Sequence, residues 1–340
     1  MHEPGSREPA APPNAVTAAP SRTKKPLALL ALVGWLVLGA GGLGLMFAWC
    51  WPARLTEVGP WWVMLSWSAF MLETFALHGA LIALVIALFA LATRRWRMAL
   101  TALLIAGCAA LPTLAMLARS LTREAPFASG GAPLRVLSMN LLYSRADADR
   151  VMALIERERP DVVLLQEWTD AAEARYGPRL RALYAHERLS PRDDAFGQAS
   201  FSTSAMRDVR AYVVPEISQP QHSFVIDHAG AAVRIVNVHV LPPVSLEYFR
   251  EQRLQTAALA EYARARIAAG ERVVLAGDFN AIWASAHGRA LRDAGLRDAH
   301  AEAGAGLGGT WPMDGGPLPI RPALGLDHVL VGGSVAVQLS

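Results

Sequence analysis

Apolar and polar positions divide this chain into two unlike parts. Through the first third, apolar residues run almost unbroken over Pro26 to Cys50, about Phe75 to Thr93, and about Met98 to Leu117. Each run is close to the roughly 20 residues a helix needs to cross a bilayer, so three membrane-spanning helices are expected. Runs standing almost back to back do not suit the buried helices of a soluble core. The first is too long for a signal peptide and lacks a small-residue cleavage site. From Leu134 onward, short apolar strands alternate with amphipathic stretches. Strands are expected over 134–139, 161–165, 271–276 and 326–331, with a hairpin of 222–226 and 232–238 turning at His228-Ala229-Gly230. Helices are expected over 147–159, which Pro160 stops, over 171–184, broken or kinked at Gly177-Pro178, and over 245–268, with Ser245 as N-cap. Hairpins among the strands favour mixed sheets over a doubly wound parallel one.

Composition sharpens the division. The chain has 340 residues, 53% of them hydrophobic, and a mean hydropathy of +0.26, too apolar for an ordinary soluble protein of this size. Arg22, Lys24 and Lys25 precede the first run, and Arg94, Arg95 and Arg97 separate the second from the third. Short cationic flanks stay cytoplasmic, so the N-terminus is expected inside and everything after Leu117 outside. Trp51, Trp61 and Trp62 suit an outer aromatic belt, and Glu73 is expected at the outer boundary in an interfacial or snorkelling role. The expected organisation is a disordered cytoplasmic tail over 1–25, spans within 26–118 (26–50, 75–93 and 98–117), a linker over 119–133, and a domain over 134–340. Cys50 and Cys108 are the only cysteines, which excludes a disulfide framework and a cysteine-based zinc site. The net charge of +3 comes with no dense basic cluster in the outer domain, which disfavours long DNA as a partner.

Candidate chemistry sits where strands end. Asn140, Glu167, His239, Asp278 with Asn280, and Asp327 are polar residues at positions where apolar ones are expected. Each alone has a structural explanation: a turn, a helix cap, a hydrogen-bonded core histidine, or, for Asp327, a pair with Arg321. Together, carboxylates and carboxamides suit a hard cation such as Mg²⁺. In Gly277-Asp278-Phe279-Asn280, residues two apart on an extended chain share a side, so Asp278 and Asn280 can address one water or phosphate.

The motifs Ser138-Met-Asn140, Leu165-Gln-Glu-Trp168, Asn237-Val-His239, Gly277-Asp-Phe-Asn280 and Leu326-Asp-His-Val-Leu330 resemble, in this order and spacing, the endonuclease/exonuclease/phosphatase superfamily. The resemblance covers about Leu134 to Val331. It implies an α+β chain in which the transmembrane helices precede a four-layer α/β sandwich of two mixed β-sheets flanked by helices. By the same resemblance, Glu167 is the principal Mg²⁺ ligand with Asn140 beside it, Mn²⁺ being the alternative ion. Asp278, helped by Asn280, orients and deprotonates the attacking water. His239 hydrogen-bonds the scissile phosphate, Asp327 orients a further histidine, and Asn237 and Trp311 contact substrate. Two features depart from the pattern. The family's closing Ser-Asp-His-x-Pro segment does not occur before Ser340, so the chain is expected to be truncated or to lack that acid/base group; His328 belongs to the preceding strand motif and is not given the role. Thr203 stands where the family often carries Arg.

The implied function is a membrane-anchored phosphoesterase with an extracytoplasmic site. It would act on a phosphate ester or pyrophosphate, lipid-linked or of the envelope, as in a bacterial group that includes a teicoplanin-resistance membrane protein. An extracytoplasmic nuclease, or a catalytically impaired binding protein, is the alternative. The expected partners are the lipid bilayer and a phosphate-containing substrate, with nucleic acid not favoured.

Overall fold

The computed structural model describes residues 24–122, 132–143, 146–214, 217–312 and 323–337. The expected tail up to residue 23, most of the expected linker, and Arg321 lie outside them. Four helices come first: α1 (Lys24–Cys50), α2 (Pro60–Thr74), α3 (Ala76–Ala92) and α4 (Trp96–Thr122). Of these, α1 and α4 are long and apolar enough to cross a membrane. The pair α2 and α3 is bent by 60° at its break and makes a third candidate if counted as one span. The sequence pattern misses α2, whose Ser66, Ser68 and Glu73 interrupt its apolar character. Alanines 80, 83, 87 and 90 of α3 interlock with alanines 99, 102, 106 and 109 of α4. Small side chains let these two backbones approach closely.

The remaining chain builds two sheets. The first contains β1 (Val136–Asn140), β2 (Val162–Gln166), β3 (His186–Ser190) and β4 (Gln198–Ser202), in the order β1-β2-β4-β3. Its β1 and β2 are parallel and the other pairs antiparallel. The second sheet contains β5 (Arg207–Arg210), β6 (Ser223–His228), β7 (Ala231–His239), β8 (Arg272–Asp278), β9 (Arg297–Asp298) and β10 (Asp327–Gly332). Its order is β5-β6-β7-β8-β10-β9, and only β7 and β8 run parallel. The expected hairpin is β6–β7. Ala229 and Gly230, with φ of 48° and 78°, supply the two left-handed positions of a tight hairpin turn.

Four layers follow from what each face buries. Val162 and Leu164 of the first sheet meet Phe224, Ile226, Ile235, Val274 and Val331 of the second in the central layer. The outer face of the first sheet packs Val163, Leu165 and Phe201 on α5 (Ala148–Glu158) and α6 (Asp170–Leu183). The outer face of the second packs Val236, Leu275 and Leu330 on α7 (Leu246–Ala268) and α8 (Ala286–Asp293). A short α9 (Ala299–Ala303) leads back towards β10. These two mixed sheets flanked by helices are the architecture the sequence predicts.

Two local expectations are corrected. Of the break or kink expected at Gly177-Pro178, the break does not occur: α6 runs through Pro178. Glu173 and Arg181 pair at 2.5 Å across position 177, where a Cβ would stand only 2.7 Å from the Glu173 carboxylate. The glycine leaves room for the bridge. Of the interfacial or snorkelling role expected for Glu73, the snorkelling form does not occur: it is buried and paired with Arg289 of α8 at 2.8 Å.

Candidate active site

Strand pairing explains why residues far apart in sequence converge. In parallel β1 and β2, Asn140 stands opposite Gln166, which puts Glu167 just past that edge. In the second sheet, Asp278 is paired with His239 of parallel β7 and with Asp327 of antiparallel β10. The C-terminal ends of β1, β2, β7 and β8 and the start of β10 therefore form one rim.

At its centre the Asn140 carboxamide ties the two sheets together. Its Nδ2 donates to Glu167 Oε1 at 2.8 Å and to Asp278 Oδ2 at 3.1 Å. Its Oδ1 accepts from Leu142 N at 2.8 Å. Asn140, expected to offer an oxygen to a cation, thus presents its N–H groups to the carboxylates. Glu167 has φ of 60°, a sparsely populated conformation for a non-glycine residue that tends to occur at functional sites. Trp168, which follows it, donates its N–H to Gly197 O at 3.0 Å. A Cβ on Gly197 would stand 1.9 Å from Trp168 O.

Asp278 and Asn280 also meet, though not as alternate residues of an extended strand. Asn280 has φ of 48°, and its N–H donates to Asp278 Oδ1 at 2.8 Å, a turn typical of aspartate. The Asn280 side chain donates to Val240 O at 2.9 Å, and the Asn280 backbone carbonyl accepts from Gln252 Nε2 at 2.8 Å. Gly277 has φ of 152°, and a Cβ there would lie 1.8 Å from Val238 O. Gly277→Ala is expected to lower the thermal unfolding midpoint by roughly 10 °C or to prevent folding, since a clash with rigid backbone costs several kcal/mol. A midpoint within 2 °C of wild type, read as about the noise of one small contact, would contradict this packing.

Electrostatics set the protonation pattern. Burial raises Asp278 to about 6, against hydrogen bonds from Asn280 and Asn140 that favour the carboxylate. Burial likewise raises Asp327 to about 6, helped by the neighbouring Asp278 charge. Burial holds His239 below its ordinary range despite Glu167, Asp327 and Asp194 around it, so it is neutral at physiological pH. Its Nε2 lies 3.9 Å from Asp278 Oδ2, and its buried Nδ1 has no partner among the described residues. His328 behaves differently. Nδ1 faces the Asp298 carboxylate at 2.6 Å and Nε2 faces Ala281 O at 2.9 Å. Both partners accept, so both ring nitrogens donate and the imidazole is cationic. Burial opposes that charge, but the Asp298 bond raises the pKa above the ordinary value.

The other expected residues are placed apart. Asn237 is fully buried between the sheets, accepting from Gln166 at 2.7 Å and donating to Ala199 O at 3.0 Å. It reaches no surface and serves as an inter-sheet bridge instead of a substrate contact. Trp311 is 50% exposed in a loop held to β10 by Thr310 Oγ1, which accepts from Leu326 N at 3.0 Å and Asp327 N at 3.2 Å. Sequence reasoning missed the His328–Asp298 pair and Gln252. A buried glutamine in the apolar stripe of α7 was the one available signal.

Among the described residues, no three His, Cys, Asp or Glu groups stand close enough to hold an ion by themselves. The donor set nevertheless fits Mg²⁺, which takes one or two carboxylates and completes its shell with water and substrate phosphate. Glu167, which accepts from the Asn140 nitrogen at 2.8 Å, would be the first of those carboxylates.

Comparison with curated proteins finds no match. Solved structures similar to this chain include truncated TDP2 from Caenorhabditis elegans, 18% identical, covering 60% of this chain and 86% of that one with a TM-score of 0.47. A second is the 3' phosphatase NExo from Neisseria bound to a product DNA hairpin, 22% identical, covering 59% and 87%, TM-score 0.47. A third is a hairpin-deletion mutant of beta toxin from Staphylococcus aureus, 16% identical, covering 61% and 90%, TM-score 0.47. Residues 137–340, more than half of the chain, match the model of the Endonuclease/Exonuclease/phosphatase family, and the chain belongs to that family.

Proposed function

We propose that this chain is a membrane-anchored, Mg²⁺-dependent phosphoesterase that hydrolyses a phosphate ester or pyrophosphate of a lipid-linked substrate on the extracytoplasmic side. The observation that carries the reading is the meeting of Glu167 and Asp278 at the Asn140 amide, with neutral His239 and Asp327 beside them. Asp278 accepts the proton of the attacking water. A carboxyl raised to about 6 is well matched to that task near neutral pH. The Asn280 backbone N–H fixes the carboxylate from behind. His239 donates a hydrogen bond to a phosphate oxygen without adding charge, and Asp327 keeps a second carboxyl next to Asp278. Glu167 would hold the cation, which when bound polarises a phosphoryl oxygen and offsets transition-state charge.

Two observations support the membrane part of the reading. The segment that follows α1 touches the domain, Arg253 donating to the Glu57 and Arg54 carbonyls. Exposed apolar side chains also surround the rim: Leu142 and Tyr143 after β1, Val244 and Leu246 after β7, and Trp311. An amphiphilic substrate can seat its hydrocarbon there.

The substrate class is tested with the full-length chain in detergent micelles. Polyprenyl pyrophosphate is expected to release phosphate with Mg²⁺ present, and supercoiled plasmid to stay intact. Rapid nicking with no phosphate release would replace the lipid-linked reading with a nuclease.

A further inference from the structure

The second membrane-side helix reaches the catalytic rim. Glu73, 8% exposed, lies near the end of α2. Its Oε2 accepts from Ala286 N at 3.1 Å, and its Oε1 pairs with Arg289 Nη1 at 2.8 Å. Ala286 is the first residue of α8, whose opening N–H groups need acceptors and whose dipole favours an anion. One turn earlier, Phe70 packs against Phe249 at 5.3 Å and His287 at 4.9 Å between ring centroids. Trp67 Nε1 donates to Pro243 O at 3.0 Å. From the other side, Arg253 of α7, 1% exposed, donates to the Glu57 carbonyl at 2.7 Å and to the Arg54 carbonyl, both in the segment joining α1 and α2.

These contacts fall on the two segments that carry the site. Residues 279–285 link Asp278 to α8, and within them Ala281 shares a buried cluster with Val63 and Phe70 of α2. Residues 240–245 follow His239; Val240 O takes the Asn280 side chain, and Pro243 O takes Trp67. The 60° bend before Phe75 turns α2 out of the line of α3 and lays it along both segments. A carboxylate on a membrane-side helix is costly unless paired, and every partner of Glu73 belongs to the catalytic domain.

We infer that α2 is a working part of the active site, with Glu73 as a positioning residue that sets Asp278 and Asn280 through α8 and the 279–285 segment. The inference rests on the phosphoesterase reading above and adds that the membrane helices govern turnover as well as location. α2 also packs on α1, with Leu72 standing against Gly44.

The test uses the full-length chain in detergent with bis(p-nitrophenyl) phosphate, a soluble probe for which membrane capture is irrelevant. Glu73→Ala is expected to lower kcat on the order of 10–100-fold with KM little changed, the effect of a small misplacement of reacting groups. Glu73→Gln, which keeps an acceptor for Ala286 N, is expected to recover part of that loss. Amide hydrogen exchange over 240–245 and 279–286 is read in the same samples and is expected to accelerate in Glu73→Ala. Should Glu73→Ala fail to fold, Trp67→Phe removes only the bond to Pro243 O and is expected to show the same pattern more weakly. Wild-type kcat with wild-type exchange overturns the inference, as does a loss of rate that only tracks the fraction folded. A wild-type chain without Mg²⁺-dependent hydrolysis overturns the phosphoesterase reading instead, and exchange alone then decides whether α2 braces the rim.

Discussion

Asp278→Asn is expected to lower the turnover of a phosphodiester by about 1,000-fold, the usual scale for loss of a positioned general base. The change keeps size and shape while removing the proton acceptor. Asp278 Oδ1 takes Asn280 N and Oδ2 takes Asn140 Nδ2; an asparagine can keep the first bond but faces Asn140 with a second donor. The same variant alters how stability depends on pH in cation-free buffer. Asp278 has an ordinary value of 3.8 and is raised to about 6 in the fold. Between these values the folded chain binds more protons than the unfolded one, so stability falls as pH rises. Its favourable share is present below about 3.8 and lost through about 6. The Asn variant is expected to show a shallower fall, with Asp327, also raised to about 6, accounting for what remains. Thermal midpoints measured across that range check the point, and identical pH profiles for the two proteins would show that Asp278 ionises as it would in water.

Much of this site was legible because strands announce their ends. A run such as Val273-Val274-Leu275-Ala276 reads as buried β structure, and a polar residue ending it must face solvent or serve a purpose. Five such ends predicted a cluster without any knowledge of the pairing. Register then does what sequence cannot: the alignment of Asp278 with both His239 and Asp327 is set by two strand partners of opposite direction. Asn237 shows the limit of the inference. It stands two residues before His239, and alternation puts both side chains on the inner face, yet only the terminal one emerges at the rim. The orientation of the Asn140 amide was equally hidden, since Leu142 N claims its oxygen through a local turn. His328 and Asp298 are 30 residues apart, and nothing in either neighbourhood marks them as a pair. The helix α2 escaped notice because its tryptophans read as an interfacial belt and its apolar face is directed at a partner formed much later in the chain.

Glu167→Gln carries the second large effect. The substitution keeps an oxygen for Asn140 Nδ2, which the structure places 2.8 Å from Glu167 Oε1, and the same left-handed backbone position. What it removes is the negative charge that would hold the cation. Charge stabilisation by a bound metal is worth several kcal/mol in such reactions, so kcat/KM at fixed Mg²⁺ is expected to fall about 100- to 1,000-fold. The Mg²⁺ concentration for half-maximal rate is expected to rise, and excess Mg²⁺ to restore part of the activity. Thermal stability without Mg²⁺ is expected to change little, because no hydrogen bond of the fold is lost. A variant with normal Mg²⁺ dependence and low kcat would move the cation away from Glu167.

The most direct test is the rate of bis(p-nitrophenyl) phosphate hydrolysis by the full-length chain, titrated with Mg²⁺ from an EDTA baseline, for wild type beside Asp278→Asn. The expected result is a saturating rise for wild type and a flat line near background for the variant. Hydrolysis that ignores Mg²⁺, or equal rates in both proteins, would contradict the assignment of this rim as a phosphoesterase site.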